Sequence, residues 1–219
     1  MTVPLILLLG TLLGVFPLQS VAQEATTNAP ADLAKAASAE GLPQVSAALL
    51  RTQIQQEENP VKRSDLTRRL VVLLVTGGRF EEAVAVSASG DAAKDPALAY
   101  WKALALMGTG DHSSAKELFS ALLQSGAPIE GISNDQIALH LARALRGGKN
   151  PEAALVVLDK IPAESPVAED ASLERCADLL ALGHTEECLK LLKASTFPSD
   201  EGKAAAAYLK ALTVWRSGD

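Results

Sequence analysis

The stretch LALMGTGDHSSA, residues 104–115, decides the fold of this chain. Its glycines favour a turn between two helical segments, because glycine is a poor helix former and a frequent helix terminator. Helical spacing resumes after the turn, where Ala115, Leu118, Phe119 and Leu122 fall at positions i, i+3, i+4 and i+7 of one face. The local unit is therefore predicted to be a helix, a glycine turn and a second helix.

The same arrangement returns at LLVTGGRFEEA (73–83), RALRGGKNPEA (143–153) and DLLALGHTEEC (178–188), and the chain closes on TVWRSGD (213–219). A small residue precedes each turn, at intervals of 32, 39, 34 and 35 residues. Twelve residues after each of the first four comes a second small residue. Small side chains let two helices approach closely, so each pair is predicted to mark a crossing. The first members are Val71, Ala103, Ala142, Cys176 and Ala211, and the second members are Ala83, Ala115, Ala154 and Cys188.

Helix boundaries are also readable from the sequence. Asn150-Pro151-Glu152 supplies an N-cap, a proline for the first turn and an acid that suits the helix dipole. Ser64 and Asp65 predict the start of a helix over residues 66–76 in the same way. The glycine pairs 77–78 and 147–148 follow helices rather than strands, so C-capping is their expected role.

A period near 34 residues, small residues at a helix crossing and the turns GRFEEA, GDHSSA and GHTEEC resemble the tetratricopeptide repeat (TPR) family. Pro96, Pro128, Pro166 and Pro198 fall near the unit ends, as in that family. The resemblance covers about residues 65–219, and a helix pair around Gly41 is a further candidate unit. It implies an all-α fold, in which antiparallel helix hairpins stack into an α-solenoid over residues 31–219, as four to five pairs with the last incomplete. Most first helices lack the usual tryptophan, so the repeats are degenerate; a generic helical-hairpin repeat is the alternative.

The only two cysteines occupy the two small positions of one predicted hairpin. In this register Cys176 and Cys188 face each other, with Cα atoms roughly 5–6 Å apart, which is within disulfide range. We predict a disulfide, which an oxidising compartment would allow. The alternative is a pair of free buried thiols that act as small apolar side chains.

Composition and motifs argue against catalysis and cofactor binding. A net charge of −6 disfavours a nucleic-acid surface, and the phosphate loop, the G-x-S-x-G and the H-E-x-x-H motifs are missing from the sequence. His112 and His184 are predicted to be solvated turn residues, and His140 to lie on a different helix. We therefore predict no enzyme, no metal, no cofactor and no small-molecule substrate.

The N-terminus reads as a secretory signal. Residues 4–16 are an apolar run too short to span a bilayer, and Ser20 and Ala22 form a small-x-small cleavage site. We predict a signal peptide over 1–22, a flexible leader over 23–30, and export to a periplasm, with the extracellular space as second choice. The segment before the apolar run has no Lys or Arg, so an uncleaved anchor is the alternative, and the only route to a membrane.

The resemblance implies a concave groove lined by the first helices and used to bind a protein or peptide. Transferring the family's groove-facing pattern predicts eight contact residues: Arg68, Tyr100, Leu104, Met107, Arg143, Arg146, Tyr208 and Trp215. The apolar stretch 204–215 favours a terminal helix surface as another contact region. Function is thus predicted as a protein-interaction scaffold. The alternatives are an assembly subunit of a cell-envelope complex, or the non-catalytic N-terminal arm of a larger exported enzyme.

Overall fold

The computed structural model describes residues 33–88 and 94–217, and every regular element named over these ranges is a helix. The predicted signal peptide and leader lie outside the described residues. Helix α1 spans residues 33–39. The others are α2 Pro43–Gln56, α3 Pro60–Thr76, α4 Phe80–Ser87, α5 Pro96–Gly108, α6 His112–Ser125, α7 Asn134–Gly147, α8 Pro151–Leu158, α9 Ala168–Ala181, α10 Thr185–Ala194 and α11 Asp200–Ser217.

The chain divides into two compact units, Met1–Gln56 and Glu57–Asp219. In the first unit, α1 and α2 flank Gly41, whose φ of +72° is in the left-handed region that glycine tolerates. The buried Ser46 hydroxyl donates a hydrogen bond of 2.8 Å to the carbonyl oxygen of Ala34, which ties the two helices together.

The second unit is a row of helix hairpins. The pairs α3/α4, α5/α6, α7/α8 and α9/α10 pack internally, and the first helix of each hairpin also contacts the first helix of the next. Helix α11 continues the row by packing on α9 and α10. Because each hairpin contacts its neighbours in sequence, the unit is an α-solenoid, and the predicted fold class is confirmed.

The hairpin register follows the small residues. The four predicted pairs are 0–1% exposed: Val71/Ala83, Ala103/Ala115, Ala142/Ala154 and Cys176/Cys188. The fifth small residue behaves differently, because Ala211 of α11 is exposed. In the complete hairpins the second helix covers this position, whereas α11 has no second helix over the described residues.

One predicted helix start agrees with the structure and another does not. Asn150 caps α8 by accepting a 3.1 Å hydrogen bond from the amide of Ala153, as predicted. The start predicted at Ser64 and Asp65 is wrong, since α3 already begins at Pro60 with Asn59 as its N-cap. The first turns of α3 are polar, and helical periodicity in apolar residues could not reveal them.

The turns between paired helices need one residue in the left-handed conformation. Gly78, Gly110 and Gly183 supply it with φ of +72°, +85° and +82°. In the third turn Lys149 takes this role with φ of +62°, while Gly148 is the C-cap of α7. The C-capping role expected for the two glycine pairs is confirmed, because Gly77 likewise caps α3.

Candidate functional site

Tyr100, predicted to contact a partner, belongs to the core instead. Its side chain is 2% exposed and its ring makes edge contacts with Trp101, Phe119 and His140 at centroid distances of 5.6–5.9 Å. Burial raises the pKa of Tyr100 to about 12, although the nearby Arg143 partly opposes the shift. Helical periodicity places Tyr100 on an apolar face but cannot tell whether a later helix covers that face.

His140 completes this aromatic cluster. It lies on α7, and its ring stacks on Phe119 at 5.9 Å with an interplanar angle of 19°. Burial lowers the pKa of His140 to about 4, with a further contribution from the Arg143 charge. The imidazole is therefore neutral at pH 7, which suits a position between two aromatic rings.

Leu104 and Met107, also predicted as partner contacts, are half-buried and pack against the same core cluster as Tyr100. Most of their apolar surface is already used within the fold. Of the predicted groove residues on α5, Tyr100 is therefore buried, whereas Leu104 and Met107 stay partly accessible, and their contact with a partner stays a prediction.

Arg143 and Arg146 join two repeats rather than face solvent freely. Both extend from α7 to Glu174 of α9, Arg143 with a 2.6 Å ion pair from Nε to Oε1. Arg143 also lies 3.8 Å from a carboxylate oxygen of Asp170, and Arg146 lies 3.5 Å from Asp178 Oδ1. Both guanidinium groups already have carboxylate partners within the fold, and their predicted contact with a partner protein stays a prediction.

Arg68 makes a corresponding connection between the first two hairpins of the second unit, from α3 to the start of α5. It pairs with Asp65 within α3 and lies 3.4 Å from Asp95 Oδ2. Asp95 also caps α5 by accepting a 3.0 Å hydrogen bond from the amide of Leu98. The three predicted arginines thus hold repeats together, and each already has carboxylate partners.

Asp178 is a buried acid that sequence reasoning missed. It is 0% exposed, and neither carboxylate oxygen has a hydrogen-bond partner among the described residues. The 3.5 Å contact with Arg146 is an ion pair too long or poorly aligned to count as a hydrogen bond. Burial raises the pKa of Asp178 to about 6, although Arg146 partly opposes the shift. The only signal in the sequence was the position of Asp178 two places after a crossing residue, where the earlier first helices have the apolar residues Leu73, Ala105 and Ala144.

The two cysteines lie where the register predicts, at the crossing of α9 and α10. Both are buried free thiols in the structure, and Cys176 Sγ lies 4.0 Å from the carbonyl oxygen of Cys188. Cys188 Sγ lies 3.3 Å from Thr213 Oγ1 of α11. Burial raises the pKa of Cys176 to about 12, so its thiol is protonated at neutral pH. The predicted disulfide is not formed here and stays a prediction.

The turn histidines differ from each other. His184 is exposed and lies 3.4 Å from Glu187, in agreement with its predicted turn position. His112 is half-buried, and its ring fills the space that a Cβ atom on Gly147 would need, with Cε1 at 2.4 Å. Its Nδ1 atom is buried without a hydrogen-bond partner among the described residues. The prediction of a solvated His112 is therefore wrong, because this ring packs on the next repeat.

Helix α11 carries the exposed residues of the predicted set. Tyr208 is 68% exposed and Trp215 is 75% exposed. Further exposed apolar residues lie on the same side, because their spacing is three or four residues. We call this surface the α11 face, and its members are Ala204, Ala207, Tyr208, Ala211, Val214 and Trp215.

The opposite side of α11 is anchored. Thr213 is fully buried, and the Arg216 guanidinium donates a 2.8 Å hydrogen bond to the carbonyl oxygen of Leu180. Near the start of α11, Ser199 donates a 2.5 Å hydrogen bond to Glu169. A cleft of about 790 Å³ lies between Arg216 and the α9–α10 turn. The α11 face is thus presented by a helix that is fixed at both ends.

Two kinds of functional feature are missing from the described residues. Nowhere in 33–88 and 94–217 do three His, Cys, Asp or Glu side chains group as ligands of a metal ion. Among the helices of these ranges, none has the length and hydropathy required to span a bilayer.

Comparison with known proteins identifies the fold. No protein-family model matches the chain, and no curated protein matches it in sequence. Among solved structures, it resembles nearly identical TPR-like repeats from Podosopora anserina, assigned to a kinesin light chain, with a TM-score of 0.62 and 21% identity over 85% of this chain and 97% of that one.

Two other solved structures agree. MamA from Desulfovibrio magneticus RS-1 has a TM-score of 0.62 and 13% identity, over 78% of this chain and 97% of that one. YrrB, a TPR protein with an unusual peptide-binding site, has a TM-score of 0.56 and 19% identity, over 77% and 84%. The chain therefore has a TPR-type α-solenoid fold.

Proposed function

We propose that this chain is a protein-interaction scaffold that binds its partner through the α11 face. The observation that carries the proposal is the exposure of Tyr208 and Trp215, seven residues apart on one helix, beside Ala211. Large aromatic side chains are the residues that most often dominate interface energies. A contiguous apolar helix face exposed to water is itself a common sign of a docking surface.

The other predicted contacts support α11 over the groove. Tyr100 is buried in the aromatic cluster, and Arg143 and Arg146 are paired with acids of the next repeat. A partner in the groove would have to compete with these ion pairs, whereas the α11 face requires no internal contact to be broken. The peptide-binding site described for YrrB gives a precedent for peptide recognition by this fold class.

The proposal is tested by placing a photo-crosslinking amino acid at position 208 of the full chain in its native host. We expect a discrete protein adduct, which mass spectrometry identifies. The matched control carries the same amino acid at Lys116, an exposed residue of α6, and should give none. The purified partner should then lose binding to the Tyr208→Ser/Trp215→Ser variant. Equal adducts at position 116, or none at 208, would reject the α11 face as the contact surface.

We also propose that the scaffold is exported. The proposal is supported by the apolar run of residues 4–16 and by the small-x-small site at Ser20 and Ala22. The mass of the protein isolated from its host should correspond to a chain that begins at Gln23. A mass that includes Met1 or the apolar run would favour the anchored alternative.

A further inference from the structure

The side chain of Cys188 connects the α9/α10 hairpin to α11. Its Sγ atom lies 3.3 Å from Thr213 Oγ1, and both side chains are fully buried. Leu209 and Leu212 of α11 are partly buried against the same cluster, which includes both cysteines. Thr213 therefore lies within the surface by which α11 packs on α9 and α10.

The hydrogen bonds of Thr213 identify Cys188 as a donor. The Thr213 hydroxyl donates a 2.6 Å hydrogen bond to the carbonyl oxygen of Leu209, and a hydroxyl has a single hydrogen. Thr213 can therefore only accept from Cys188, whose thiol supplies the hydrogen. The Cys176 thiol is likewise the donor in its 4.0 Å contact, because the carbonyl oxygen of Cys188 can only accept. Both contacts thus require the cysteines in their thiol form.

The pairing of a thiol with a hydroxyl is particular to this step of the solenoid. The other second helices carry alanine at the crossing position, namely Ala83, Ala115 and Ala154. Alanine has no hydrogen-bonding side chain, so this position cannot supply such a bond to α5, α7 or α9. Among the described first helices that follow a hairpin, α11 alone has an attachment that depends on the oxidation state of a cysteine.

We propose that Cys176 and Cys188 form a redox-sensitive contact that sets how firmly α11 is held on the solenoid. In the dithiol form, Cys188 holds α11 through Thr213. In the disulfide form the sulfur of Cys188 has no hydrogen to donate, so the buried Thr213 Oγ1 loses its donor and α11 opens more readily. The predicted disulfide would therefore strengthen the α9/α10 hairpin and weaken the attachment of the next helix.

The redox step is a thiol–disulfide exchange. Both S–H bonds break and one S–S bond forms between Cys176 and Cys188, while two electrons and two protons pass to a disulfide oxidant, which becomes two thiols. Burial raises the pKa of Cys176 to about 12, with a smaller contribution from the neighbouring Cys188. Because the attacking species is a thiolate, the folded protein reacts slowly, and the oxidation state is set while the chain folds.

The test compares the two oxidation states of the full chain. The protein is unfolded and then refolded either with dithiothreitol or with a mixture of reduced and oxidised glutathione. Intact mass distinguishes the two products, since the disulfide form lacks two hydrogen atoms. Melting curves report overall stability, and amide hydrogen exchange read by mass spectrometry reports each helix separately.

We expect effects of opposite sign in neighbouring helices. The disulfide should raise the melting temperature by several degrees and slow exchange in α9 and α10, because the cross-link restricts the unfolded chain. Exchange in α11 should instead become about three- to tenfold faster, as expected for the loss of one buried hydrogen bond. A disulfide that only stabilises the fold would slow exchange in all three helices.

Three variants separate the hydrogen bond from the cross-link. Cys188→Ala removes the donor and should speed exchange in α11 in both refolding buffers. Cys176→Ala is the matched control, because it also prevents the disulfide but keeps the contact between Cys188 and Thr213, and α11 should exchange as in the dithiol form. In a Thr213→Val background, disulfide formation should no longer speed exchange in α11.

The proposal is overturned if both thiols stay free after refolding in the glutathione mixture, or if α11 exchanges no faster in the disulfide form. Equal acceleration of α11 by Cys176→Ala and Cys188→Ala would also overturn it, because the two cysteines would then act through packing alone. These outcomes are independent of the proposed function. Crosslinking from position 208 tests the α11 face, whereas exchange in α11 tests how the helix is held.

Discussion

Helices α5 and α11 carry the same pattern in two different environments. Tyr100 and Tyr208 occupy the same register position, yet Tyr100 is 2% exposed and Tyr208 is 68% exposed. The difference lies in the neighbours, because α6 and His140 of α7 cover Tyr100, and no described helix covers the corresponding face of α11. In a repeat fold, therefore, the identity of a side chain does not decide whether it belongs to the core or to an interface.

The largest expected effect contrasts the two tyrosines directly. Tyr100→Ala should lower the free energy of unfolding by about 3–5 kcal/mol, because it removes a buried ring from a packed aromatic cluster. Tyr208→Ala should change it by less than about 0.5 kcal/mol, as expected for an exposed side chain. Urea denaturation followed by circular dichroism measures both. Similar losses for the two variants would show that α11 is covered within the protein.

The next prediction uses Asp178 and Thr213, which share one register position. The folded-state pKa of Asp178 is about 6, above its ordinary value of 3.8, so the ionised carboxylate opposes folding. Stability should fall as pH rises from about 4 to about 6, where this penalty becomes complete.

Asp178→Asn should therefore stabilise the protein above pH 6, by on the order of 2 kcal/mol, and have little effect below about pH 4. Melting curves across pH 3.5–7.5 would reveal this dependence. Thr213→Val, at the uncharged equivalent, is the control and should show no such pH dependence. A constant difference between Asp178→Asn and the native chain at all pH values would contradict the assignment.

A third prediction compares the two acids of α9 that pair with Arg143 of α7, the mostly buried Glu174 and the exposed Asp170. Glu174→Gln should cost about 1–2 kcal/mol, since Glu174 accepts from two half-buried arginines. Asp170→Asn should cost less than about 0.5 kcal/mol, because its 3.8 Å pair with Arg143 is exposed. Thermal unfolding of both variants at low and high salt measures the two losses. Equal losses of stability for the two variants would contradict the prediction.

The smallest effect concerns the contact of His112 with Gly147. Gly147→Ala should destabilise by about 1 kcal/mol, because its Cβ would overlap the imidazole ring. In a His112→Ala background the same change should become neutral or stabilising by a few tenths of a kcal/mol, since alanine favours a helix. A double-mutant cycle measures this reversal of sign. The same cost in both backgrounds would mean that the ring moves aside.

Sequence alone was sufficient for the hairpins and their crossings. The constant spacing of twelve between small residues predicts Ala103/Ala115 and Cys176/Cys188, because close helix approach restricts side-chain size locally. The pairing of Arg143 with Glu174 could not be predicted, since the residues are 31 positions apart and charge pairs carry no spacing rule. The burial of Tyr100 likewise depends on a neighbouring helix, which helical periodicity does not report.

The small number of described neighbours of α11 has a consequence for local dynamics. Among the described residues, α5, α7 and α9 each pack between a preceding and a following hairpin, whereas α11 packs on α9 and α10. In a nearest-neighbour solenoid, a terminal element with fewer interfaces opens at lower free energy than the elements behind it. In a chain of residues 1–219, amide hydrogen exchange should therefore be faster in α11 than in α9, and slower again in α7.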